Sequence, residues 1–134
     1  MSKSYNYKGF RIEILYEDND IAILNKPSGL ITHKRNELDN SPSLQESLKN
    51  QFSINDDEKL KEGIVHRLDK DTSGIIIITK NSLSKNKFRE MFKHRTIKKN
   101  YLAFTYGVPS QNNIEINKNI TRNKVQRTKF NVND

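Results

Sequence analysis

Five consecutive β-branched residues, Ile75-Ile76-Ile77-Ile78-Thr79, fix the centre of whatever this chain folds into. Branching at Cβ restricts χ1 and favours extended backbone. A run with no polar alternation predicts a strand buried on both faces. Its four isoleucines, as long as any unbroken aliphatic stretch in the chain, fall far short of a bilayer span. The run matters more because apolar residues are scarce: of 134 residues, 33% are hydrophobic and 30% charged. A domain of this length hides roughly two thirds of its unfolded surface. The few apolar clusters are therefore expected to be core.

Those clusters predict the remaining elements. Phe10, Ile12 and Ile14 alternate with Arg11 and Glu13, which predicts a half-buried strand over Phe10 to Leu15. After the polar turn Glu17-Asp18-Asn19-Asp20, Ile21 to Leu24 forms a second strand, stopped by Lys26-Pro27-Ser28-Gly29. His33 to Ser41 is polar and reads as a loop. Ser43-Leu44-Gln45-Glu46 has capping-box spacing, and Leu44, Leu48 and Phe52 make one helical stripe behind it. Asn55 to Glu62 is charged and reads as a surface loop. A basic helix is expected over Leu83 to His94 with Phe88, Met91 and Phe92 inward. Lys99 to Tyr106 alternates as a strand, and Ile114, Ile116 and Ile120 suggest a weaker one before a polar, basic stretch from Thr121. Strands with two helices predict an α+β fold on a mixed, largely antiparallel sheet. Its length suits one domain spanning 1–134.

The net charge is +8, from 24 Lys and Arg against 16 Asp and Glu, which modestly favours a polyanionic partner. Cysteine is absent, which excludes disulfides, thiol catalysis and zinc–thiolate sites. His33, His66 and His94 lack ligand spacing, so no metal is expected. The polar start, Met1 to Tyr7, leads into no apolar signal core, and a cytoplasmic protein without membrane association is expected.

The segment richest in chemistry is His66-Arg67-Leu68-Asp69-Lys70-Asp71-Thr72-Ser73-Gly74, followed by the isoleucine run and Lys80. An acid and a base stand there where an apolar strand gives way to a tight polar turn, a common setting for sites. Thr72 and Ser73 suit the turn through local backbone bonds. Physics alone favours a plain turn, with Arg67 neutralising Asp69 and Asp71.

The pattern says more. His-Arg-Leu-Asp, two residues, Thr-Ser-Gly, an aliphatic strand and then Lys resembles the signature of RluA-type (RsuA/RluA-like) RNA pseudouridine synthases. Tyr16 to Asp20 with Ile23 to Leu30 resembles that family's opening motif. Phe92 to Tyr106, with Lys99, Tyr101, Ala103 and Gly107, resembles the segment after the signature helix, and Ile120 to Val132 the basic stretch beyond it. The resemblance covers residues 14–132. It implies an enzyme that detaches uracil from C1′ of ribose in RNA, rotates it and rejoins it through C5, without cofactor or metal. On this resemblance Asp69 is the nucleophile, attacking either the base or C1′. Tyr101 stacks on uracil and removes the C5 proton. Arg67 helps hold the flipped nucleotide, as an enzyme acting on a base requires, and Thr72 and Ser73 shape the substrate-binding turn. Lys93, Arg95, Lys98, Lys99, Arg122, Lys124, Arg127 and Lys129 follow the RNA backbone. Ribosomal RNA is expected ahead of transfer RNA.

The same resemblance implies an incomplete catalytic domain. A later Thr-Gly-Arg-x-His-Gln-Ile-Arg-like motif has no counterpart, nor do the later central strands, the basic partner of the catalytic aspartate, or an S4-type domain. The expectation is a weakly active or inactive chain: a truncated RNA-binding remnant, or one half of a split synthase awaiting a carboxy-terminal fragment. The oligomeric state stays open.

Overall fold

A computed structural model describes residues 3–54, 63–126 and 129–133. They form two compact units, Met1–Lys99 and Asn100–Asp134. The fold is α+β. In the first unit, strands β1 (Lys3–Tyr7), β2 (Phe10–Glu17), β3 (Ile21–Lys26) and β4 (Gly74–Thr79) pair in that order. Every pairing in this sheet is antiparallel. The mixed character expected of the sheet reduces to one isolated parallel bridge, Ile31 to Ser43. Helix α1 (Leu44–Leu48) lies in the long connection between β3 and β4, and α2 (Ser82–Lys93) follows β4.

The turns explain themselves locally. Between β1 and β2, Lys8 and Gly9 both take positive φ (46° and 85°), as a two-residue hairpin matched to strand twist demands. Between β2 and β3, Asp18 accepts the Asp20 and Ile21 N–H groups (2.8 and 2.7 Å). Ser43 caps α1 by accepting the Glu46 N–H (3.2 Å). Glu46 itself reaches toward the hairpin. It takes the Tyr7 hydroxyl and the ammoniums of Lys8 and Lys34, fastening the β1–β2 hairpin to α1. At α2, Asn81 accepts the Ser84 N–H (2.9 Å). The helix ends in a Schellman pair, Thr96 N–H to Met91 O and Arg95 N–H to Phe92 O, with Arg95 at φ 55° where glycine is usual.

The core lies on one face of the sheet. Ile12, Ile14, Ala22, Leu24, Ile76 and Ile78 meet Leu30, Ile64, Leu44 and Leu48 of α1, and Phe52, which is buried although it lies beyond the end of the helix expected to carry it. Three expectations need correction, and one strand was not anticipated. The isoleucine strand is buried on one face only: Ile76 and Ile78 are fully buried, but Ile75 is 62% exposed, because β4 ends the sheet and its other face is only partly covered. The polar amino terminus forms β1, which β2 recruits. On α2 the buried side chains are Ser84 and Lys85, while Phe88, Met91 and Phe92 are half-buried. Residues 99–106 form no strand, because alternation stabilises extended chain only where a neighbouring strand takes its hydrogen bonds. The loop expected over Asn55 to Glu62 lies outside the described residues.

The second unit contains one antiparallel hairpin, β5 (Asn119–Arg122) with β6 (Phe130–Asn133). Of Ile114, Ile116 and Ile120, only Ile120 is in a strand, and the stretch expected to be merely polar supplies β6. No helix among the described residues is long and apolar enough to cross a membrane.

Candidate active site

Strand β3 alternates so that Ala22, Leu24 and Lys26 face the core, all fully buried. A lysine in that place must satisfy its ammonium with protein oxygens. Lys26 Nζ donates to Pro27 O (3.0 Å) and Leu30 O (2.7 Å) in the loop after β3, and to Lys70 O (3.1 Å) in the signature loop. Burial pushes its pKa below the usual lysine range, opposed by the negative charges of Asp71 and then Asp69.

Further bonds bind the two loops. Gly29 N–H donates to Lys70 O (2.9 Å) and Ser28 Oγ to Asp71 O (2.9 Å). Thr32 Oγ1, itself buried, donates to Leu68 O (2.7 Å) and accepts the Leu68 N–H (3.3 Å). Gly29 takes φ 86° beside the Phe10 ring, where a Cβ would meet Cε1 at 3.4 Å. The turn closes on itself through Thr72 N–H to Asp69 O (3.2 Å). Leu68 is thereby drawn into the interior, while Arg67 and Asp69 on either side of it stay exposed.

On the other flank, His66 Nε2 accepts the Ile77 N–H of β4 (2.8 Å). Its ring lies on Phe92 of α2, with centroids 4.8 Å apart. Burial, with Lys99 adding repulsion, lowers its pKa to about 4. His66 is therefore neutral at pH 7, and the proton is on Nδ1.

The signature residues thus stand together on a braced loop at the end of the sheet where β3 finishes and β4 begins. Among the described residues, no hydrogen bond or ion pair engages the Arg67 or Asp69 side chain, so the Arg67–Asp69 pairing of a plain turn is not formed. Thr72 is half-buried and shapes the turn through its backbone; Ser73 is exposed. Tyr101 belongs to the second unit and is 66% exposed. Lys93, Arg95, Lys98 and Lys99 are exposed around the end of α2; Arg122, Lys124 and Lys129 are exposed in the second unit; Arg127 lies outside the described residues. Sequence reasoning placed Lys26 and Ser28 only in the turn that stops the second strand and gave Thr32 no role. For Lys26 a signal existed: counting by twos from Ala22 and Leu24 puts it on the core face.

A family model described as RNA pseudouridylate synthase matches residues 20–134. Ribosomal large subunit pseudouridine synthase C of Rickettsia bellii is 40% identical over 111 residues, which are 83% of this chain and 35% of that protein. An RNA pseudouridine synthase of Helicobacter pylori is 38% identical over 121 residues (89% and 37%). Ribosomal large subunit pseudouridine synthase D of Borreliella burgdorferi is 36% identical over 127 residues (90% and 38%). The chain spans little more than a third of the length of these relatives. Among solved structures, human RNA pseudouridylate synthase domain containing 4 superposes with a TM-score of 0.42 at 23% identity, over 62% of this chain and 30% of that one.

Proposed function

This chain belongs to the RNA pseudouridylate synthase family, and from that premise we propose that it isomerises uridine to pseudouridine in structured RNA, ribosomal RNA ahead of transfer RNA. The observation that carries the reading is the Asp69 carboxylate. It is exposed, takes no hydrogen bond or ion pair among the described residues, and is presented by a loop that Lys26, Ser28, Gly29 and Thr32 hold from beneath. A reactive carboxylate needs this combination of access and fixed position.

In the proposed reaction Asp69 bonds to the base or to C1′ as the N1–C1′ bond breaks, and that carboxylate bond is broken again before the product leaves, so the carboxylate is regenerated. The freed uracil turns, C5 bonds to C1′, and the C5 proton leaves while N1 gains one. Tyr101 stacks on the base and takes the C5 proton. Arg67, exposed two residues before Asp69, holds the everted nucleotide, and Thr72 and Ser73 line its approach. The exposed cations at the end of α2 and in the second unit track phosphates without reading sequence. The proposed setting is the cytoplasm.

The test is tritium release from RNA labelled at uracil C5. Wild-type protein is expected to release label and Asp69→Asn to release none. Equal release from both removes Asp69 from the mechanism.

A second reading is an RNA-binding remnant, or one half of a split synthase completed by a carboxy-terminal fragment. It is favoured by the second unit, where Leu102, Phe104, Tyr106 and Val108 are each more than 90% exposed. RNA retained on a filter at low salt with no pseudouridine formed supports this reading, and turnover by the chain alone ends it.

A further inference from the structure

Strand β4 ends its sheet, so the backbone donors on its outer side need partners from outside the ladder. Two of them find partners in the segment that leads into the signature loop. Thr79 N–H donates to Gly63 O (2.9 Å), and Ile77 N–H donates to His66 Nε2 (2.8 Å). Between them Ile64 bridges Ile78. The imidazole thus stands where a neighbouring strand would place a carbonyl. Its face is held against Phe92 of α2 (4.8 Å, 31° between planes). His66 is the last residue of this segment tied to β4; the next two are exposed Arg67 and Thr32-bound Leu68, and Asp69 follows.

We propose that His66 is a positioning residue for Asp69: by accepting the Ile77 N–H and lying on Phe92, it fixes the point and direction at which Arg67-Leu68-Asp69 leaves the β4 edge. The inference rests on the reading of Asp69 as the reactive carboxylate. Packing alone would be served by any flat ring in this place. Accepting the Ile77 N–H demands an unprotonated nitrogen, and the surroundings supply that condition. Ile77 and Phe92 bring no charge, and the cation acting on His66 is Lys99, whose ammonium lies 5.9 Å from the Phe92 centroid.

The experiment compares wild type, His66→Phe and His66→Gln by amide hydrogen exchange and by tritium release. Phenylalanine keeps the ring and removes the acceptor; glutamine returns an acceptor oxygen. In His66→Phe, exchange at Ile77 and Thr72 is expected to accelerate about tenfold, as loss of one hydrogen bond implies. The Thr72 amide reports the turn because it bonds Asp69 O. The kcat is expected to fall by about the same factor with KM unchanged, and His66→Gln to recover most of both losses. Unchanged protection at Ile77 and Thr72, or an unchanged kcat per folded molecule, overturns the proposal. A wild-type chain that releases no tritium counts against the enzymatic reading alone, and the two amides then decide the positioning role. Should His66→Phe not fold, acidifying the wild type through the His66 titration removes the acceptor without mutation. Lost protection at Thr72 then supports the proposal and retained protection overturns it.

Discussion

Replacing Lys26 with methionine removes the ammonium and keeps nearly the whole stem, so it isolates three hydrogen bonds. They are unequal. The bond to Leu30 O is buried, while those to Pro27 O and Lys70 O are partly buried, and Lys70 O also accepts the Gly29 N–H. Orphaning a buried carbonyl costs about 1–3 kcal/mol. The two others keep a partner or gain water, and each loses roughly 0.5–1 kcal/mol. The opposing effect is relief of the buried charge, whose cost shows in the depressed pKa of Lys26. That relief is limited because an ammonium with three acceptors is largely resolvated by the protein. The net expectation is a loss of about 2–3 kcal/mol. Urea denaturation measures it as a lower midpoint at constant slope, and Gly29 amide exchange should quicken because the two loops separate. A Lys26→Met protein within about 0.5 kcal/mol of wild type, or more stable, would show that charge burial outweighs the bonds and that the loops are held by Ser28, Gly29 and Thr32 instead.

Two further outcomes follow from the same geometry. The His66 pKa falls from 6.5 unfolded to about 4 folded, so its contribution to stability is complete above pH 6.5 and drains away as pH falls to 4. Over that window the loss is at most about 3 kcal/mol, and less once solvent screening of the half-buried ring is counted. His66→Gln should flatten a denaturation series between pH 7 and 4.5, and a wild type with constant stability there refutes the assignment. The carboxyls of Asp39 and Glu46, both held near about 2, act only at lower pH. Second, a Cβ on Gly63, at φ 73°, would lie 2.0 Å from the Thr79 carbonyl oxygen, whereas at Gly74, φ 130°, it meets nothing within 4 Å. Gly63→Ala should therefore unfold the domain or cost more than about 3 kcal/mol, and Gly74→Ala about 1–2 kcal/mol from backbone strain alone. Equal thermal shifts for the two would refute the close packing of Gly63 on β4.

What the sequence disclosed, and what it hid, divide by where the partner atoms come from. The alternation Phe10-Ile12-Ile14 and the burial of Leu44, Leu48 and Phe52 were legible because those residues meet the core whatever else the chain does, but the helix expected to carry all three ends at Leu48, before Phe52. The isoleucine run was half legible: composition announced a strand, but whether its second face is covered depends on elements elsewhere, and Ile75 is exposed. The same limit defeated the alternation at 99–106, where no described strand takes the hydrogen bonds. The signature segment was legible as a contiguous pattern, yet what braces it was not. Lys26, Ser28 and Thr32 all act on backbone oxygens of residues 68–71, and a carbonyl looks alike under every side chain. His66 is invisible for the complementary reason: its partner is the edge of β4, which exists as an edge only once the sheet order is known. A loop of side chains resting on main chain therefore shows its signature pattern in the sequence and its supporting residues only in the fold. The substitutions most informative about Asp69 are accordingly at Lys26 and His66, which touch its loop through main-chain and edge contacts and leave the carboxylate itself intact.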